Sequence, residues 1–540
     1  MQVRKTTHVQ GNALLKHYID QNSSVLERFD YTLTEESLLE RQKELSARSF
    51  PRQSVARVLE TFNHSIGADD ATFANIARLQ QKESLVVVCG QQAGFLTGPL
   101  FTIFKTISTI QWAKQQEDVL GVPVIPVFWI AGEDHDFPEI NHLFVPVERG
   151  VTKLSLPVSQ EDTKTSVAQR SLNATHGEEL IKQAFAGFGE TAYTQDLLKQ
   201  TLDAFHSSTN YVDFFGKLMV SLFPGEGLVF LNAHDASLRE LEAPFFRDFV
   251  MENEAVHREV VSAQQSLKED GFTGPLELDR ELAHLFLHVD GERHLLERAE
   301  DGGFHDRHQK LHLQTEDLLA VIEETPERVS NNVVSRPLMQ EYLLPVLTFV
   351  AGPGELSYWS LLKSAFHVFG FKVPPLLPRM HGTIVDSQTA KWLNKYELSL
   401  EQVCESGVDA YQSEHEKRLQ NLHLYDTLAE LQGHYAKIND LLAGIAEDMP
   451  GTQSLAAAAQ KKWAAQEEWL QTKYRHAINE SYEDEMAGYW HLKKMLLPEG
   501  SPQDRVHNVF FWLNVYGPEL IQQLLSQPFV EDHTMTVFEM

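Results

Sequence analysis

Glu133-Asp134-His135-Asp136 sets three carboxylates and an imidazole side by side, directly after the apolar run Val122–Ile130. Crowding of negative charge is costly unless a cation joins it: Mg2+, an ammonium group or an arginine. Histidine's unperturbed pKa lies near neutrality, so His135 suits either a general base or a hydrogen-bond partner for phosphate. His135 and Asp136 are therefore the candidate catalytic residues, with Asp134 beside them as a ligand contact. The plainer reading is a solvated loop in which Asp134 or Asp136 caps a helix. A fixed metal site has less support, because no H-E-x-x-H or cysteine pair is present.

A second constellation is the stretch LVVVCGQQAGFLTGP, Leu85 to Pro99. Gly90, Gly94 and Gly98 allow a sharp turn or a close approach to a ligand, and Gln91, Gln92 and Thr97 bring amides and a hydroxyl. It is not a Walker A loop, which needs Gly-Lys-Ser/Thr, nor a G-x-G-x-x-G fingerprint, since its glycines are four apart. Tight helix–sheet packing is the alternative use. Asn232 and Asp235 follow a third apolar run, Leu228–Asn232. Gly352, Gly354 and Glu355, with Tyr358 and Trp359, follow a fourth, Pro345–Ala351. An acid and two aromatics after a glycine turn suit an amino group and a flat or sulfur-containing moiety; the aromatics equally suit a helix core. Arg336 and Arg379 are the cations for an anionic substrate, since arginine grips carboxylate and phosphate bidentately, unless they serve structural ion pairs. Cys89, in a buried run, reads as a core residue and not a nucleophile.

The elements that must position these residues follow from periodicity. Amphipathic stretches at Ala13–Ile19, Glu35–Leu45 and Ala71–Leu79 predict helices. Leu85–Val88 reads as a buried strand, and Phe101, Phe104, Ile107 and Ile110 keep a helical period after it. Strand, glycine turn and helix put backbone N–H groups and a helix dipole at the strand's carboxyl end, where anions bind in open α/β sheets. Pro345–Ala351 with a helix Leu356 to Phe369 repeats the plan, and Pro374–Arg379 is a poor central strand because of its prolines. Leu424, Leu428, Leu431, Tyr435, Ile438, Leu442 and Ile445 form the seam of a coiled coil. Pro450-Gly451 breaks it, and a second arm, Ser454 to Leu497, returns with Trp463, Leu470 and Ala477 at seven-residue spacing. The expected fold is α/β, a Rossmann-like parallel-sheet core with insertions and a C-terminal antiparallel coiled coil. Its expected divisions are N-terminal helices and the first half of the core (1–150), a first insertion (151–220), a core strand and helix (221–249), a second insertion (250–330), the second half of the core (331–384), the hairpin (385–500) and a helical end (501–540).

Composition narrows the function classes. Forty-six basic against 76 acidic residues give a net charge of −30, which repels nucleic acid in the absence of a basic block. No apolar run is long enough to cross a bilayer, and the opening MQVRKTTHVQGN lacks the apolar centre of a signal peptide. Two cysteines exclude a disulfide framework and fit a reducing cytoplasm. The expectation is a cytoplasmic, small-molecule protein with no nucleic-acid or membrane partner.

The motifs Gly90-Gln91-Gln92-Ala93-Gly94-Phe95-Leu96-Thr97-Gly98-Pro99, Pro126–Phe137, Arg336-Pro337 and Gly352-Pro353-Gly354-Glu355 closely resemble the bacillithiol-biosynthesis cysteine-adding family, BshC. The resemblance spans essentially the full chain. It implies a fold like class I aminoacyl-tRNA synthetases with connecting-peptide insertions, and a coiled coil that forms a homodimer. It further implies a ligase that joins L-cysteine to glucosaminyl malate through an amide, with ATP as cofactor, Mg2+ accompanying it, and no tightly bound metal. The synthetase motifs H-I-G-H and K-M-S-K-S are absent from this chain. The competing reading is a non-catalytic nucleotide- or metabolite-binding regulator acting through its coiled coil.

Overall fold

In the computed structural model the described residues are 1–6, 11–158, 164–278, 280–419, 423–449, 451–481, 483–528 and 534–540. The chain divides into two compact units: Met1–Pro146 with Thr152–Ile384 and Gln503–Met540, and Val147–Val151 with Val385–Pro502.

The first unit is built on five parallel strands: β1 (Leu85–Gln91), β2 (Val124–Ile130), β3 (Val229–Asn232), β4 (Val346–Ala351) and β5 (Leu376–Pro378), in the order β5-β4-β1-β2-β3. β1 is central and covered on both faces, which is why Leu85–Val88 are apolar without alternation. Registers Gln91↔Ile130 and Ile130↔Asn232 bring the ends of β1, β2 and β3 level, so the loops after them leave the sheet together. β5, with its prolines, takes an edge, where a missing N–H costs no ladder bond.

Helix α1 (Phe101–Leu120) follows the glycine loop and ends at Gly121, in the left-handed region at φ +65°. Its periodicity suggests one apolar face, but Thr102–Ile110 are buried all round. The far side is covered by chain from the other end of the sequence, as where Phe104 stacks on Phe538 with ring centroids 5.7 Å apart. β3 leads into α2 (Ala236–Met251), and α3 (Ser335–Leu343) precedes β4. The helix expected over Leu356–Phe369 is two: α4 (Pro353–Trp359) and a short turn of helix, Lys363–Val368. Between them Ser360 Oγ donates to the Ser357 carbonyl at 2.7 Å, a side chain-to-backbone bond that competes with helix continuation.

The segment expected as a second insertion forms an antiparallel sheet of strands Leu282–Val289, Glu292–Arg298, Phe304–Asp306, His312–Leu313 and Val329–Asn331. The first holds an irregularity between Leu282 and Phe286, where buried His284 adopts φ +55°.

In the second unit, helix His423–Asp448 turns at Gly451 (φ +105°) into Gln453–Ser481, followed by Glu483–Leu496. Leu431, Tyr435, Ile438 and Leu442 are half-buried, and Tyr435 meets Trp463 with ring centroids 5.8 Å apart. Of the expected seam, Ile445 and Ala477 are exposed. Pro450 and the side chains of Leu424 and Leu428 lie outside the described residues. Among the described residues, no helix is long and apolar enough to cross a membrane.

Candidate active site

Loops after β1, β2 and β4 meet at a cleft of about 760 Å³. β1 contributes Gly90, Gln91 and Gln92, and the loop after β2 contributes Ala131 and Glu133–His135. Gly354, Glu355 and Tyr358 come from α4, Arg336 from α3, and Phe286, Arg293 and Leu295 from the antiparallel sheet.

The charges in the cleft are arranged in three groups. Asp134 accepts from Gln92 Nε2 at 2.6 Å and from Arg293 Nη1 at 3.4 Å. Burial opposes its ionisation, but Arg293 and the Gln92 hydrogen bond more than offset this and hold the carboxyl below its ordinary value. Arg293 also reaches Ser330 Oγ at 3.1 Å and the Asn331 carbonyl at 2.5 Å, and lies 3.6 Å over the Phe286 ring. Its burial brings its pKa down to about 10. The same guanidinium stands 3.2 Å from His135 Nδ1. Arginine only donates, so His135 accepts at Nδ1 and its proton sits on Nε2. Burial, then Arg293, lowers the His135 pKa, which keeps the ring neutral at pH 7. His135 therefore presents an N–H donor at Nε2.

In the second group, buried Lys105 on α1 donates to the Gly90 carbonyl at 2.7 Å and pairs with Glu355 Oε2. Glu355 Oε2 also takes the Gly352 N–H at 2.7 Å, closing the loop on itself. The third is Arg336, whose Nη2 donates to the Tyr358 hydroxyl at 2.6 Å. Burial pushes that phenol up to about 12. Among the described residues Arg336 forms no ion pair, which leaves a half-buried guanidinium for an anion. Its helix is fixed from behind. Asn332 Oδ1 accepts from the N–H groups of Val334 and Ser335, and its amide nitrogen lies 3.2 Å from His284 Nδ1. His284 Nε2 in turn meets His257 Nδ1 at 3.1 Å.

The expected residues divide. Gly90, Gln91, Gln92, Asp134, His135, Arg336, Gly354, Glu355 and Tyr358 share the cleft. Gly94, Thr97 and Gly98 line an adjoining pocket of about 320 Å³ that also includes Gln91 and Gln92. A Cβ on Gly94 would sit 2.7 Å from Gly98 Cα, so here glycine serves the loop's packing on itself. Asp136 is exposed and does not line the cleft. Asn232 packs against Gly132, whose added Cβ would lie 2.8 Å from Asn232 Oδ1. Asp235 caps α2 by accepting from Ser237 N and Leu238 N. Gly352 belongs to the loop closed by Glu355. Trp359 is wholly buried and stacked on Phe349 at 4.7 Å, a core residue. Arg379 is buried in an ion pair with Asp504 at 2.7 Å, the structural alternative for that residue.

Sequence reasoning missed Lys105, Arg293 and Arg239. Lys105 carried a signal: it is the only charge between Phe101 and Trp112. Arg239 relieves the acidic cluster, pairing with both Glu133 and Glu242 in the interior. Burial pushes Glu242 up to about 7. Arg293 lies 159 residues from Asp134 and Arg239 106 from Glu133, and nothing local marks either meeting.

Arg336, with no ion pair among the described residues, and Gly90, whose added Cβ would lie 3.8 Å from Arg336 Nη1, make a place that fits a phosphate or carboxylate group. Among the described residues no three His, Cys, Asp or Glu side chains are grouped to hold a metal ion.

A parallel Rossmann-like core whose strand ends gather mixed charges, with a separate helical hairpin, defines an α/β protein for small charged ligands. Residues 1–380 match the family described as bacillithiol biosynthesis BshC, N-terminal Rossmann-like domain, and residues 382–540 its C-terminal coiled-coil domain. Proteins named "putative cysteine ligase BshC" from Bacillus cereus and Bacillus thuringiensis subsp. konkukian are each 35% identical over 526 residues, covering 97% of both chains. The Bacillus anthracis protein of that name is 34% identical over the same share. The chain belongs to the BshC family of bacillithiol biosynthesis.

Proposed function

We propose that this chain is the ligase that joins the carboxyl of L-cysteine to the amine of glucosaminyl malate. The observation that carries it is that the cleft sets a cation with no carboxylate partner beside a carboxylate with one oxygen left over, among the described residues. Arg336 has no carboxylate partner among the described residues, and Glu355, held through Oε2 by Lys105 and Gly352, keeps Oε1 for an ammonium group. Two such poles in one cleft fix an anionic group and an ammonium group relative to each other, which is where positioning accelerates amide formation. His135 Nε2–H and Arg293 are donors for negative charge that grows as the amine attacks the carbonyl. ATP supplies the leaving group that a free carboxylate lacks, and Arg336 is the residue that fits its phosphate; any Mg2+ arrives with the nucleotide. The synthetase-like connecting-peptide arrangement is part of the same proposal, as is a cytoplasmic setting.

The hairpin is proposed as the homodimer surface. Leu441 and Ile445 on the helix His423–Asp448, and Met449 just past its end, are spaced by four and exposed by 70, 53 and 62%, a stripe that a second copy would cover. Light scattering checks it: Leu441→Lys with Ile445→Lys gives monomer, and an unchanged mass removes the proposal.

The ligase reading is tested by incubating the purified protein with cysteine, glucosaminyl malate and ATP. Amide product with nucleotide consumption is the expected result. Binding of ATP or glucosaminyl malate without product under varied conditions favours the regulator reading.

A further inference from the structure

The loop between β1 and α1 is strained in a way that the cleft does not use. Leu96, Thr97 and Gly98 carry φ of +48°, +68° and +71° in succession. Glycine takes this region freely, but other L-residues lose on the order of 1–2 kcal/mol there, and a β-branched threonine is an outlier. Asn508 holds the strain. Its buried amide donates to the carbonyls of Leu96 and Gly98 at 2.7 and 2.9 Å, while its oxygen accepts from Phe510 N at 2.9 Å. The product of this construction is a pocket of about 320 Å³ whose lining includes Thr97 and Thr102. Both residues are fully buried, and neither hydroxyl has a hydrogen-bond partner among the described residues. An unpaired buried hydroxyl costs on the order of 1–3 kcal/mol. Strain and two orphaned hydroxyls on one wall are poor packing but good preparation for a ligand.

The chemistry of the other walls selects that ligand. Phe101, Ile140, Leu143 and Phe144 supply apolar faces, and among the described residues no lysine or arginine lines the pocket. Glu139, the one carboxylate among the described lining residues, already accepts from Gln92 Nε2 at 2.8 Å. His142 donates Nδ1–H to the Pro138 carbonyl at 3.0 Å, so its Nε2 is an acceptor. The pocket therefore suits an uncharged ring with polar edges. Gln91, Gln92 and Glu139 belong to both this pocket and the cleft.

We propose that this pocket is a subsite for the uncharged ring of a substrate whose anionic part lies on Arg336 in the adjoining cleft. Two ring-bearing substrates share that chemistry, the purine of ATP and the sugar of glucosaminyl malate in the free-amine form that attacks the carboxyl; naming them rests on the ligase reading, whereas the pocket does not.

Calorimetry with adenosine and with methyl glucosaminide, rings without the anionic part, tests it. One of them binds the wild type, and binding weakens at least tenfold in Thr102→Val, which deletes an orphaned hydroxyl, and in Ile140→Trp, which fills the space. L-malate and inorganic tripolyphosphate, anions without the ring, bind all three proteins within twofold. Adenosine binding assigns the purine and methyl glucosaminide the sugar. Equal ring binding by all three proteins overturns the subsite. So does failure of both rings to bind while ATP and glucosaminyl malate bind Thr102→Val as tightly as the wild type. Ring binding lost in the variants, with no amide product from the wild type, removes the ligase reading and leaves the subsite standing.

Discussion

The two glycine loops, after β1 and after β4, share a plan and use it oppositely. In the first, Gly94 and Gly98 let the chain fold on itself, Asn508 locks three left-handed residues, and neutral hydroxyls are left unpaired. In the second, Gly354 has nothing within 4 Å of an added Cβ, and the loop is closed by its own carboxylate, Glu355. One loop stores strain to shape an uncharged wall; the other is relaxed and presents a charge. Lys105 joins them, reaching the carbonyl of Gly90 and the carboxylate of Glu355 together.

The largest expected difference is steric. Gly94→Ala drives a Cβ to 2.7 and 2.9 Å from Gly98 backbone atoms, at a cost of ~3 kcal/mol or more. Gly354→Ala meets open space on a helix and stays within ~1 kcal/mol of wild type. Urea unfolding of the two variants compares them directly, and equal losses would erase the contrast between the loops.

Next comes the link. Lys105→Met leaves Glu355 and the Gly90 carbonyl without their cation and costs ~2–4 kcal/mol. Adding Glu355→Gln recovers part of that stability, because no unpaired charge then remains. A double-mutant cycle measures the coupling; additive losses would mean that the ion pair does not bridge the loops.

Arg336→Gln raises the KM for the anionic substrate about tenfold or more, corresponding to ~1.4 kcal/mol or more, with little loss of stability. Steady-state kinetics separates KM from kcat.

The last comparison is acid sensitivity, which accumulates with each pH unit. His284 and His288 are buried and held neutral, with pKa values of about 3, burial being the main cause for both. Each binds a proton in the unfolded chain below its ordinary value of 6.5 but not in the folded one, so stability falls as pH drops from 6.5 toward 3. The limit is ~1.4 kcal/mol per pH unit for each ring. Glu242, raised to about 7, acts in the other direction between its ordinary 4.5 and 7. Denaturant midpoints measured from pH 7 to 4 fall in the wild type, and His288→Asn flattens the slope.

The parallel core was legible because its strands are buried on both faces and end in glycine or acidic loops, marks that survive in one dimension. The cleft residues after β1, β2 and β4 were legible for the same reason. Arg293 was not, because its meeting with Asp134 and His135 depends on how an inserted sheet docks, which periodicity does not encode. Trp359 and Arg379 look functional in sequence because an aromatic or arginine after a strand reads alike in core and cleft; only burial against Phe349 and pairing with Asp504 separate the two. The His135 tautomer, too, follows from a neighbour 158 residues away.

The most direct measurement is a crystal structure with glucosaminyl malate and a non-hydrolysable ATP analogue bound. The account predicts an anionic group of one of them within hydrogen-bond distance of the Arg336 guanidinium, in the cleft between the two glycine loops. Both ligands seated elsewhere, with Arg336 and Glu355 untouched, would contradict it.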